Sequence, residues 1–239
     1  MKTMVIGASK GLGRALMEGL GNNGDTLIGV SRSRPHDVRP LPGVSQQWLE
    51  ADLGNPLKAA ELLTHCAAES GLDTLIYNLG IWEDAAFDAR YDFLADNDEQ
   101  LQRIVDCNVT APILLIKHLL PILLNSPRPR IILTGSTSGL PQSGRPEVTF
   151  GASKFALRGM ADALREGYRE RNLGVTCLNL GYLNTEDPLH TPREQAAAHG
   201  DGELIPLHDV VQVVRMALSL SAASFVKEIT LPAIRDPRF

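Results

Sequence analysis

Short apolar runs alternate with longer amphipathic stretches along nearly the whole chain, and this alternation restricts the fold more than any other feature. "TMVIG", "TLIGVS", "SQQWLEADL", "DTLIYNLG", "RIILTGS", "GVTCLNLG" and "VKEITL" read as seven strands. Most hold apolar residues at successive positions rather than on one face. Such strands must be covered on both sides, which is the condition of a parallel sheet between two helical layers. Helical patterns fill the intervals: about Leu12 to Asn22, "NPLKAAELLTHCAAES" with Pro56 tolerated in its first turn, "FGASKFALRGMADALREGYRER" and "LHDVVQVVRMALSL". A long apolar helix, roughly Glu99 to Asn125, is expected to be interrupted by Pro112 and Pro121. "RSRPHDVRPLPG" is too rich in proline for regular structure.

No composition break divides the chain, so residues 1–239 read as one domain large enough to bury its core without staples. The 23 basic and 28 acidic residues leave a net charge of −5, which argues against nucleic acid as a partner. Cys66, Cys107 and Cys177 are odd in number and form no CxxC pair, as expected of buried thiols in a reducing compartment. The N-terminus meets glycine too early for a signal peptide or a membrane span, so a soluble, cytoplasmic protein is expected. The six histidines show neither an i, i+4 pair nor HExxH, and no metal site is expected. His190 and His199 fall in a loop placed to cover a substrate. The segment from Ile81 to Glu99 is acidic and reads as a solvated loop and helix start.

Gly7, Gly11 and Gly13 of "GASKGLG" follow the first strand and open the first helix. Side chains there would hold a pyrophosphate away from the backbone, and the helix N-terminus supplies N–H groups and partial positive charge. A dinucleotide site is therefore expected. "GASKG" also matches the G-x-S-x-G elbow of a serine hydrolase with Ser9 as nucleophile, a rival that leaves Gly13 unexplained. At the end of the second strand stand Ser31 and Arg32 with no carboxylate, and Lys10 adds a cation inside the turn. Two cations and a hydroxyl suit a 2′-phosphate, favouring NADP(H) over NAD(H).

With these motifs in order, the chain resembles the short-chain dehydrogenase/reductase family over nearly its full length. "GASKGLG" resembles the family's cofactor turn, and by that resemblance Ser9 and Leu12 join the three glycines. "ADL" places Asp52 and Leu53 at the adenine, and "YNLG" gives Asn78 and Gly80 in place of N-A-G. "CNVTAP" puts Asn108 where the family keeps a catalytic asparagine. "NLGYLNT" resembles N-P-G-x-x-x-T, with Gly181 and with Thr185 for the nicotinamide carboxamide. "LTGSTSG" resembles the strand end with the catalytic serine. The strand pattern favours Ser136, whereas the family's usual spacing to the tyrosine favours Thr137.

"TFGASK" then stands at Y-x-x-x-K, with Phe150 at the tyrosine and Lys154 at the lysine. The resemblance implies a three-layer Rossmann-like doubly wound fold with a seven-stranded, mainly parallel sheet in order 3-2-1-4-5-6-7. It implies hydride transfer to or from a small-molecule carbonyl or alcohol, with Ser136 polarising the oxygen, Lys154 holding the ribose and Asn108 supporting a proton path. Phe150 cannot donate a proton. A natural phenylalanine with weak or altered chemistry, a Tyr→Phe replacement made to trap a complex, or another hydroxyl standing in would each account for it. Tyr182 is the best placed stand-in. The rival class is a catalytically silent NADP(H)-binding redox sensor acting through a partner. The family's habit implies a homodimer or homotetramer through the two longest helices.

Overall fold

The computed structural model describes residues 1–236. β1 (Lys2–Ile6), β2 (Thr26–Ser31), β3 (Ser45–Glu50), β4 (Thr74–Tyr77), β5 (Arg130–Thr134), β6 (Gly174–Leu180) and β9 (Glu228–Leu231) form a seven-stranded sheet. Its order is β3-β2-β1-β4-β5-β6-β9 and every neighbouring pair is parallel. This is the expected winding. The last strand is the ninth because β7 (Leu183–Asn184) and β8 (Ile205–Pro206) pair separately inside the final connection.

Apolar runs explain the layers. β6 is buried at every position, while the edge strand β3 is partly exposed along its length. On one face Leu63 of α2 (Pro56–Ser70), Leu115 and Leu119 of α4 (Ala111–Leu123) and Leu157 of α5 (Val148–Gly167) meet Ile28, Leu75 and Ile131. On the other, Leu12 and Leu16 of α1 (Gly11–Gly19) and Val210 and Val214 of α7 (Leu207–Ser219) cover Val5, Ile76 and Ile132.

The two prolines do not interrupt the long helix. α3 (Asp98–Val105), a π-helical turn (Asp106–Thr110) and α4 continue into one another over Asp98–Leu123. Pro112 lacks the N–H that would reach the Asn108 carbonyl, and the wider turn immediately before it absorbs the mismatch. Pro121 sits in the last turn. By length and composition this helix is apolar enough to cross a membrane, yet Leu115, Leu119 and Leu123 are fully buried in the core.

The acidic segment divides. Asp98 and Glu99 occupy the first turn of α3, where negative charge is favourable. Glu83 is not solvated as expected: it is 0% exposed, because its carboxylate serves the start of α5.

Candidate active site

The strand order reverses between β1 and β4, which opens a crevice beyond their carboxyl ends. Gly7 has φ +80° and lies against the chain after β4, where a Cβ would meet the Leu79 backbone at 3.0 Å. A Cβ on Gly13 would come within 2.0 Å of the Gly7 carbonyl oxygen, so α1 packs directly onto the turn. α1 has no side-chain cap and no acidic residue in its first turn, leaving its leading N–H groups for an anion. Leu12 is buried in the core, so only its backbone borders the crevice. Ser9 is half-buried in the turn, and Thr185 stands across it, with Cγ2 3.4 Å from where a Gly11 Cβ would be. Asn78 ties the walls together: its Nδ2 donates to the Gly7 carbonyl at 3.3 Å and its Oδ1 accepts from Thr134 Oγ1 at 3.3 Å.

At the end of β2 the Ser31 hydroxyl is engaged within the protein: it donates to the Ser33 carbonyl at 2.7 Å and accepts from Trp48 Nε1 of the neighbouring strand at 2.8 Å. The side chains of Lys10, Arg32 and Arg34 are exposed and make no ion pair among the described residues, while the Arg34 backbone N–H donates to Glu50 Oε1 at 3.2 Å. Arg14, by contrast, is held by Glu18 and Asp37. Arg34 completes a set of three cations that the sequence reading left at two. Asp52 accepts from the Gly54 N–H at 3.0 Å and shapes the turn after β3, with Leu53 buried behind it.

The reactive groups converge beyond β4 and β5. Lys154 on α5 is 5% exposed and donates from Nζ to the Thr134 carbonyl at 2.9 Å. Burial pushes its ammonium from the ordinary 10.5 down to about 8, opposed by the nearby Cys107 thiol. Gly80 makes room for it, since a Cβ there would lie 3.1 Å from Nζ. Asn108 sits in the π-helical turn, and its amide clamps the Ile81 backbone in both directions at 2.9 and 2.8 Å. Its Nδ2 also donates to Ser153 Oγ at 2.9 Å, and Ser153 donates to the Phe150 carbonyl at 2.7 Å. Ser136 is half-buried, with Oγ accepting from the Ser138 N–H at 3.1 Å, whereas Thr137 and Ser138 are buried.

Phe150 is 6% exposed beneath other rings. Its edge contacts put Trp82 at 6.2 Å and Phe87 at 5.6 Å between centroids, and Phe87 continues to Tyr182 at 5.4 Å. Two buried carboxylates latch this loop to α5. Glu83 Oε1 accepts from the Thr149 and Phe150 N–H groups at 2.9 and 3.0 Å, and Glu147 Oε1 accepts from the Phe87 N–H at 2.9 Å. Phe87 has φ +70°, a strained conformation for an aromatic residue. Tyr182, in the turn after β6, accepts from Arg145 Nη1 at 2.6 Å, and Arg145 Nη2 donates to Asp236 at 2.8 Å. Sequence reasoning passed over Trp82, Phe87, Glu147 and Arg145, and read Glu83 as solvated. Glu147, directly before α5, carried the one local signal, an acid at a helix start.

The hydrolase arrangement is absent among the described residues. The histidine contacts run from His199 to Asp187 and Glu186, from His208 to the Leu189 carbonyl and from His65 to Glu69, and none reaches Ser9.

A family model for short chain dehydrogenase matches residues 2–194. The chain belongs to that family. The NADPH-dependent pterin aldehyde reductase of Arabidopsis thaliana is 30% identical over 196 residues, spanning 77% of this chain and 75% of the relative. A metagenomic short-chain oxidoreductase solved in complex with NADP superposes with a TM-score of 0.73 at 20% identity, covering 98% of each chain. The NADH-dependent reductase A1-R′ complexed with NAD gives 0.75 at 16% identity, covering 100% of this chain and 96% of its own. These two structures share the fold.

Proposed function

We propose that this protein is an NADP(H)-dependent oxidoreductase acting on the carbonyl or alcohol of a small molecule. The observation that carries this reading is the uncapped start of α1 against a turn stripped of side chains, in the same crevice as the buried Lys154 ammonium. The residues fit a dinucleotide: a cradle that any Cβ would fill, leading N–H groups without a side-chain acceptor, and three unpaired cations beside it. Bound there, a nicotinamide dinucleotide supplies or accepts the hydride.

The chain's own groups do the rest. The α1 N–H groups hold the pyrophosphate, and Lys10, Arg32 and Arg34 hold the 2′-phosphate through charge-assisted bonds. Asp52 and Leu53 flank the adenine. Lys154 holds the ribose hydroxyls, Gly80 leaves its Nζ space, Asn78 ties the walls of the crevice together, and Gly181 and Thr185 take the carboxamide end. Ser136 donates to the substrate oxygen. Asn108 fixes the chain beside Lys154. Phe150 fills the place of a phenol and gives no proton, and a positioned acid is worth about 10²–10⁴ in rate. An apolar groove lined by Ile113, Ile116, Leu120, Met160, Leu164 and Tyr168 supports pairing of copies through α4 and α5.

The sealing of Phe150 under Trp82 and Phe87 favours a second reading, a catalytically silent NADP(H)-binding redox sensor working through a partner. Turnover separates the two. Carbonyl reduction is measured with NADPH over a broad panel in the unmodified protein and in Phe150→Tyr. The oxidoreductase reading expects reduction in at least one of the two. Background rates in both, with NADPH still bound, would leave the sensor.

A further inference from the structure

We infer that the protein holds a second ligand site, a cleft for a phosphorylated small molecule at the amino ends of β5, β6 and β9. The cleft has a volume of about 390 Å³ and lies between the end of α5 and the segment leading into β9. Arg130 opens β5 and Gly174 opens β6, whereas the cofactor crevice lies beyond the carboxyl ends of these strands. The five residues of β5 separate the two places by about 16 Å. The inference therefore goes beyond the proposed function and does not depend on it.

Arg130 is the reason to expect an anion. It is 6% exposed and makes no ion pair among the described residues. Its guanidinium donates to the carbonyls of Pro129 at 2.9 Å, Asn172 at 3.2 Å and Ser224 at 3.2 Å. Strapping three segments together explains these bonds but not the missing carboxylate. The carbonyls take three of the five N–H groups and leave the charge without a counter-ion. Burial presses the guanidinium below its ordinary value and Arg128 adds to the effect, yet the group stays charged. A buried cation without a counter-ion is costly, and a bound anion offsets that cost. Gly174 makes the space: a Cβ there would lie 2.9 Å from Arg130 Cδ and Nη1 and 3.0 Å from Phe225 Cβ.

The neighbouring charges set the charge of the ligand. Arg165, Arg169 and Lys227 line the same cleft, so with Arg130 four cations face two carboxylates, Asp162 and Glu166. That surplus of two positive charges stands in a chain whose net charge is −5. Arg165 pairs with Asp162, Lys227 reaches the same carboxylate at 3.6 Å, and Arg169 pairs with Glu166. Both carboxylates are mostly exposed, and ion pairs in water are weak. A phosphate monoester carries about two negative charges and three acceptor oxygens near neutral pH, which matches the surplus. Phe225, exposed at the same cleft, offers a ring to the organic part of the molecule.

The test titrates the full chain with phenyl phosphate by calorimetry, at constant ionic strength and with NADPH saturating the crevice. One-to-one binding is expected. Lys227→Glu and Arg169→Glu, at exposed positions, should each weaken it about tenfold or more, while Arg32→Ala leaves it unchanged. Inorganic phosphate should bind more weakly than phenyl phosphate, and Phe225→Ala should remove the difference. Absence of saturable heat would overturn the inference, as would an unchanged Kd in both charge-reversed variants. So would binding that is lost on adding NADPH or in Arg32→Ala, because the phosphate would then sit in the crevice. Equal affinity for inorganic phosphate would overturn the organic ligand. Should NADPH itself fail to bind, the proposed function falls, and the two charge-reversed variants still decide this site.

Discussion

Replacing Lys154 by methionine should stabilise the protein at neutral pH, an unusual result for loss of a hydrogen-bonded residue. The ammonium is pushed from the ordinary 10.5 to about 8 by burial. At ~1.4 kcal/mol per tenfold displacement of that equilibrium, the folded state carries roughly 3 kcal/mol of penalty when the group is charged. Methionine keeps the length and loses the bond to the Thr134 carbonyl, worth about 1.5–3 kcal/mol to a charged donor. The net change at pH 7 is then a gain of up to about 1.5 kcal/mol. The pH dependence is more telling. Because the folded value lies below the unfolded one, both states are protonated below about pH 8 and the penalty is fully present. Between about 8 and 10.5 the unfolded chain binds more protons, so the unmodified protein gains stability as pH rises, and the gain is complete above both values. Lys154→Met lacks this contribution. Urea unfolding of both proteins near pH 7 and near pH 10.5 isolates it, since other groups cancel in the difference. A stability difference that is the same at both pH values would refute the desolvated ammonium.

Gly13→Ala should abolish NADPH binding and cost more than the ~1–3 kcal/mol of ordinary overpacking, because the new methyl would lie 2.0 Å from a backbone oxygen; calorimetry and urea unfolding check this. Arg32→Ala and Arg34→Ala should each weaken NADPH about tenfold or more while sparing NADH, read by fluorescence titration of both cofactors. Glu83→Ala should cost about 2–4 kcal/mol by leaving two buried N–H groups at the start of α5 without an acceptor, whereas Glu83→Gln, which retains a carbonyl oxygen, should cost less than half of that in urea unfolding.

The sheet order was legible because a strand such as "GVTCLNL" has no polar face and can only lie between two helical layers. The glycine turn was legible because each glycine answers a local demand for space. What stayed hidden depends on partners distant along the chain. Ser31 reads as a free hydroxyl in the sequence, yet its O–H donates to the Ser33 carbonyl and its oxygen accepts from Trp48 on the neighbouring strand. Glu83 looked like one more solvated acid in an acidic run, yet its partners are Thr149 and Phe150, on a helix whose own start carries no matching motif. Pro112 looked like an interruption, because the pattern of side chains does not reveal that the preceding turn can widen around Asn108. The ring cluster over Phe150 was illegible for the same reason: Trp82 and Phe87 share the connection after β4, whereas Phe150 lies on α5 and Tyr182 in the turn after β6.

The central claim is that the crevice at the start of α1 seats NADP(H). Isothermal titration of the protein with NADPH tests it most directly. The account predicts saturable one-to-one binding that is tighter than for NADH and is lost in Gly13→Ala. Absence of heat and of thermal protection at millimolar NADPH would contradict it.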